Sequence, residues 1–191
     1  MSGRVRLAAL LMLIGAAFAS AAQAGPWGVQ VMGRYASVRA SVTGTELFED
    51  GYGGEAMVTR ALSARWSVGA GYNYARINAT TAMKSNYYLE YGEPENDGYR
   101  QQTVFALAIF QFQDNILHPY FAAGLGSGNI YHTQGGGGFD GWGTDWIGRF
   151  GLAYHLGENF RILGEASYDV LQGQDTNVST FAGQLGLGYS F

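Results

Sequence analysis

Residues 181–191 read FAGQLGLGYSF, which puts Phe181, Leu185, Leu187, Tyr189 and Phe191 on one parity with Gly183, and Ala182, Gln184, Gly186, Gly188 and Ser190 on the other. Successive side chains of a strand point to opposite faces, so this stretch is a strand with one large apolar face and one small or polar face. Repeated along a chain, that alternation leaves few folds open. A soluble sandwich turns the apolar face inward, and a barrel in lipid turns it outward.

The alternation does repeat. Trp27, Val29, Val31 and Tyr35 oppose Gln30, Met32, Arg34 and Ala36; Trp66, Val68, Ala70, Tyr72 and Tyr74 oppose Ser67, Gly69, Gly71 and Asn73. Later, Trp146, Phe150, Leu152 and Tyr154 oppose Asp145, Arg149, Gly151 and His155, and Phe160, Ile162, Ala166, Tyr168 and Val170 oppose Arg161, Glu165, Ser167 and Asp169. A strand over residues 119–130 sets Phe121 and Leu125 against Gly124, Gly126 and Gly128. Two segments read less cleanly. Residues 55–62 set Val58 and Arg60 against Met57, Thr59 and Ala61, and residues 99–112 carry Phe105, Leu107 and Ile109 on one side but Phe110 and Phe112 on the other, which predicts a bulge or a switch near the end. Eight strands result.

Their connections alternate in length. Residues 62–65, 113–118 and 157–159 make short turns, whereas residues 38–53, 77–98, 131–144 and 172–178 make longer loops. The acids Glu46, Glu49, Asp50, Glu55, Glu90, Glu93, Glu95, Asp97, Asp140 and Asp145 fall in these loops or at their edges.

Composition narrows the class further. The chain has 30 glycines, 13 tyrosines and 11 phenylalanines in 191 residues, with only 14% charged residues, against about a quarter in soluble domains. It has no cysteine, which removes disulfides, thiolate metal sites and a cysteine nucleophile. A net charge of −4 and a single lysine, Lys84, argue against nucleic acid as a partner. At the start, Arg4 and Arg6 precede an apolar run and Ala22-Gln23-Ala24, the pattern of a secretory signal peptide. Residues 1–24 are expected to be that signal and residues 25–191 one barrel domain.

A strand crosses a bilayer in roughly 9 to 11 residues, and in hydrocarbon its backbone groups must all be paired, which closes the sheet. The expectation is an all-β fold, an eight-stranded antiparallel up-and-down transmembrane β-barrel. At eight strands the interior is just filled by side chains. Trp27, Tyr35, Trp66, Tyr74, Tyr120, Trp146, Tyr154 and Tyr168 lie near strand ends, where aromatic girdles sit.

The terminal strand LGLGYSF and the stretch HPYFAAGLGSG at residues 118–128 are similar to strands of the small eight-stranded outer-membrane proteins of the OmpA/OmpX type, within the outer-membrane β-barrel domain superfamily. The resemblance covers residues 25–191. It implies residence in the outer membrane of a Gram-negative bacterium among outer-membrane lipid and lipopolysaccharide. It further implies an assembly signal at Tyr189 and Phe191 for the barrel assembly machinery, delivery by periplasmic chaperones, and a host or surface ligand reached through the loops. No peptidoglycan-binding domain is expected.

The lumen set expected from parity is Gln30, Arg34, Asn73, Arg149, Arg161, Glu165, Asp169 and Gln184, with Arg60 less secure. Such charges are tolerated against a low-dielectric wall when paired and hydrogen-bonded. His118, His132 and His155 share no metal-ligand spacing, and no cofactor or catalytic residue is expected. The lipid A deacylases resemble the chain in the Pro-aromatic strand, but their His-x-Ser pair is missing: the matching stretch runs from Arg161 to Ser167 without a histidine. Residues 135–138, four glycines, have no following helix to cradle phosphate, and the acid-rich residues 88–98 do not match a calcium loop. Tyr87, Tyr88, Tyr91, Tyr99, Phe139 and Trp142 are loop aromatics that could anchor a partner or pack at loop bases. The expected role is a non-enzymatic integral barrel that displays extracellular loops for surface interaction or envelope integrity. The alternatives are a narrow channel for ions or small solutes, a lipid A-modifying barrel enzyme, and a soluble lipocalin-like barrel.

Overall fold

The computed structural model describes residues 27–42, 45–81, 98–112, 117–132, 139–173 and 177–191. Residues 1–24, expected to be a signal peptide, Tyr87, Tyr88, Tyr91 and the four glycines at 135–138 lie outside them. The elements are β1 (Trp27–Arg39), β2 (Ser41–Val42), β3 (Thr45–Glu46), β4 (Phe48–Ala61), β5 (Trp66–Ala79), β6 (Gly98–Gln111), β7 (Leu117–His132), β8 (Phe139–His155), β9 (Phe160–Gln172) and β10 (Asn177–Ser190). Strands β2 and β3 pair only with each other, and the other eight close into a barrel in the order β1-β10-β9-β8-β7-β6-β5-β4.

Every barrel strand pairs antiparallel with its chain neighbour, and β1 closes on β10 from Gly28↔Ser190 to Arg39↔Ser179. The seam is finished at the short-turn rim by two backbone bonds, Trp27 N–H to Phe191 O at 3.1 Å and Phe191 N–H to Trp27 O at 2.8 Å. Closure leaves no barrel edge to pair with, as a strand sheet in hydrocarbon requires. No helix among the described residues is long and apolar enough to cross a membrane. The short turns are set locally: the Ser63 hydroxyl accepts from the Arg65 and Trp66 amides at 3.3 and 3.1 Å, and Gly157 takes φ 143°, a region that favours glycine.

Several expected boundaries move. The barrel strands run 13 to 17 residues, longer than a bilayer needs, and they extend into segments read as loops. Strand β4 begins at Phe48 inside the expected first loop, and β7 and β8 consume much of the expected 131–144 loop. The bulge predicted in β6 is absent. Its pairing with both neighbours is continuous, and the register shifts fall instead between Phe48 and Gly51 and between Gly128 and Ile130.

Burial fixes which face is which. Val31, Phe181, Leu185 and Leu187 are each at least 60% exposed, whereas Arg34, Glu55, Arg149 and Glu165 are all below 8%. A soluble protein would reverse that distribution. The barrel wall is therefore lipid-facing, and ionic groups sit inside. The interior is layered. Toward the long-loop rim lies an apolar cluster that includes Val38, Phe48, Ile77, Tyr99, Ile130, Leu171 and Val178. A second one, with Met32, Met57, Phe105, Leu107, Ile147 and Leu163, begins at the level of the buried charges and continues toward the short-turn rim.

Candidate functional site

The inward charges form a belt between the apolar layers. Arg149 on β8 donates from Nη1 to Glu55 Oε1 at 2.6 Å and from Nη2 to Glu55 Oε2 at 2.8 Å, a two-bond fork. Its Nη1 also reaches Glu165 Oε1 at 3.2 Å. Glu165 accepts further from the Tyr120 hydroxyl at 2.9 Å and from Gln184 Nε2 at 3.1 Å, and the same Gln184 nitrogen reaches Ser167 Oγ at 3.3 Å. Arg34 pairs with Asp169, and the Thr103 hydroxyl donates to Asp145 at 3.1 Å. The Arg149 guanidinium also lies 4.6 Å over the Phe105 ring, an attraction between cation and ring face. Burial makes each charge expensive alone, and the fork geometry offsets that cost with directed bonds.

The expected lumen residues are distributed as follows. Arg34, Arg149, Glu165, Asp169 and Gln184 are buried within this belt, and Gln30 and Asn73 are buried nearby on β1 and β5. Asn73 Oδ1 has no hydrogen bond. Arg161 faces a small cavity of about 30 Å³ in the short-turn half, together with Gln30, Thr59, Tyr120 and Glu165. Arg60 is buried as well, 8% exposed, although it shares the parity of the outward Val58; its guanidinium lies 4.8 Å from the ring of Trp27, its register partner on β1.

Four inward residues were missed. Glu55 and Asp145, expected in loops or at loop edges, are 3% and 1% exposed inside the barrel. The shared parity of Glu55 with Met57 and Thr59 was the available signal. Tyr120, expected in an aromatic girdle, points inward to Glu165. Tyr99, offered as a loop anchor, is buried edge-on against Phe48 with ring centroids 5.2 Å apart. Trp142 is exposed.

The barrel register also settles two chemical questions. Ser167 is opposite Arg149, and His155 is opposite Arg161, so the serine and histidine stand six residues apart along β8, about 20 Å at strand rise. No hydroxyl-to-imidazole contact can form there. His118 and His155, distant in sequence, are neighbours with ring centroids 4.5 Å apart. No group of three or more histidine, aspartate or glutamate side chains able to hold a metal occurs among the described residues.

At the terminal strand, Phe191 is exposed at the short-turn rim, and Tyr189 packs between Phe160 and Phe191 with centroid distances of 4.8 and 6.3 Å.

A closed barrel with an oily exterior and an ion-paired interior is the geometry against which known proteins can be compared. The profile of the outer membrane protein beta-barrel domain matches residues 7–191. The chain belongs to this family. It is a small eight-stranded outer-membrane barrel, and its location is the outer membrane of a Gram-negative bacterium. Neisserial surface protein A has a similar fold, with a TM-score of 0.66 at 16% identity over 87% of this chain and 99% of that one. Ail, the attachment invasion locus protein of Yersinia pestis, gives 0.53 at 19% identity over 86% and 98% of the two chains. OprG of Pseudomonas aeruginosa gives 0.57 at 12% identity over 88% and 96%. At these identities the likeness is one of fold. No curated protein matches the sequence.

Proposed function

We propose that this outer-membrane barrel is a sealed, non-enzymatic scaffold that displays its loops at the cell surface, for surface interaction or envelope integrity. One observation carries the reading: among the described residues the interior stacks an apolar layer, an ion-paired belt and a second apolar layer, broken by one small cavity in the short-turn half, with Phe48, Ile77, Ile130 and Val178 at most 3% exposed near the loop side. A solute would have to part both the belt and the packed side chains above it. The separation of Ser167 from His155 supports a non-enzymatic role as well, because the imidazole is out of reach of the hydroxyl.

The loops that such a scaffold would present are acidic, with Glu90, Glu93, Glu95 and Asp97 close in sequence. Charge complementarity then favours a basic partner surface. Ail has been crystallised with the heparin analogue sucrose octasulfate, and a polyanion of that kind is a poor match for these acids. Outer-membrane lipid and lipopolysaccharide surround the barrel in this reading. Periplasmic chaperones deliver it, and the barrel assembly machinery reads Tyr189 and Phe191.

Planar-bilayer recording of the refolded chain tests the reading. No steady conductance is expected. A steady conductance that disappears on changing Arg149 or Glu165 would establish a channel in its place, and deacylated lipid A that is lost with Ser167→Ala would establish an enzyme.

A further inference from the structure

One row of the outer wall breaks the oily pattern. Tyr35 is opposite Tyr52, Tyr52 is opposite Arg76, Arg76 is opposite Arg100, and Arg100 is opposite Tyr131, a continuous line across β1, β4, β5, β6 and β7. Arg76 and Arg100 share the parity of the exposed Tyr72, Tyr74 and Trp66 on β5 and of Phe110 on β6, so both project to the lipid side. We infer that Arg76 and Arg100 form a clamp for the phosphate of a lipid headgroup in the outer-facing leaflet.

Height along the wall supports this. Trp66, at the short-turn end of β5, and Arg76 are ten residues apart on one strand, about 33 Å at strand rise and about 25 Å across the membrane at the usual barrel tilt. That is the height of the apolar band of such barrels, which brings the arginines to the far headgroup layer, on the side of the long loops. Like charges directly opposite each other in a sheet repel, the more so beside hydrocarbon. Neither arginine forms an ion pair with a described residue. Arg100 Nη1 donates to the backbone oxygen of Tyr99 at 3.2 Å, and Arg76 Nε is buried without a partner. The acid on this wall, Asp50, is engaged by the Tyr35 hydroxyl at 2.5 Å. An anion between the two guanidinium groups removes the repulsion, and a phosphate accepts their paired N–H donors. The flanking tyrosines Tyr52, Tyr74 and Tyr131 suit the same layer, with apolar rings toward the chains and hydroxyls toward headgroups.

The site rests on the membrane location and is independent of what the loops do. Its test uses the full chain folded in neutral detergent micelles and titrated with bisphosphorylated lipid A, with bound lipid counted by native mass spectrometry. Arg76→Gln with Arg100→Gln is expected to weaken binding roughly thirty-fold, as two surface arginines would, while Arg65→Gln in a short turn at the opposite rim leaves it unchanged. On the unaltered protein, dephosphorylated lipid A is expected to bind as weakly as intact lipid binds the double variant, and this comparison stands even where the variant does not fold. Inorganic phosphate is expected not to displace the lipid. Equal binding by the double variant, equal binding of the dephosphorylated lipid, or displacement by free phosphate would each overturn the assignment.

Discussion

Arg149 and Glu55 are joined by two hydrogen bonds, of 2.6 and 2.8 Å, between strands that lie diametrically opposite in the eight-strand ring. The pair therefore ties the two walls of the barrel together through its centre. Arg149→Ala would leave Glu55 and Glu165 buried without their cation, at a cost of about 3–5 kcal/mol. Replacing Arg149, Glu55 and Glu165 together by Met, Leu and Gln is expected to recover most of that loss, because both carboxylates bonded to the lost cation go with it. Urea unfolding of the chain in lipid vesicles, followed by tryptophan emission, measures both variants. A triple variant no more stable than Arg149→Ala would show that the ion pair itself, and not the avoidance of an orphaned charge, dominates.

Tyr120 and Gly151 give a packing test of the same belt. They are register partners on β7 and β8, and a methyl added at Gly151 would meet the Tyr120 ring. Gly151→Ala should displace the ring, weaken its bond to Glu165 and cost about 1–3 kcal/mol. Adding Tyr120→Phe to Gly151→Ala should cost less than the sum of the two single changes, since both disturb one contact. Additive losses in the same unfolding assay would place the strain elsewhere.

Much of this barrel was readable because the bilayer demands contrast. In β1, β5, β8, β9 and β10 a large apolar side chain outward alternates with a small or polar one inward, and parity alone located Arg34, Arg149, Glu165, Asp169 and Gln184. Strand β6 lacks that contrast: Phe105, Leu107 and Ile109 fill the interior while Phe110 faces lipid. An eight-strand lumen is a packed core, so apolar residues are as welcome there as ion pairs, and two oily faces on one regular strand mimic the pattern of a bulge or a switch. Glu55 and Asp145 share the inward parity of their strands, but each stands beside acidic loop segments, and nothing local shows that a partner waits on a distant strand. The same reasoning applies to His118 and His155, whose proximity depends on the register between β7 and β8.

The outer wall offers a third test, at Leu185, which is 69% exposed near the middle of β10. Leu185→Arg places a cation in hydrocarbon and should cost about 2–4 kcal/mol at that depth. The same change at Phe191, on the rim, should cost no more than about 1 kcal/mol. Equal penalties at the two positions in vesicle unfolding would mean that Leu185 is not at the bilayer centre.

Single cysteines along β10 test the face assignment directly, because the chain has no native cysteine to interfere. Phe181, Gly183, Leu185 and Leu187 are exposed on the outer wall, while Ala182 and Gln184 are buried inside. A lipid-soluble maleimide should label cysteines at 181, 183, 185 and 187 and leave those at 182 and 184 unmodified. A charged, water-soluble maleimide added to intact vesicles should label none of 182 to 187, since the outward positions among them are covered by acyl chains and the inward ones by the ion-paired belt and its apolar neighbours, whereas 181, ten residues from the short-turn rim, reaches the headgroup layer. Labelling of 182 or 184 by the charged reagent would require water to reach the interior. That result would contradict the sealed core on which the scaffold reading depends.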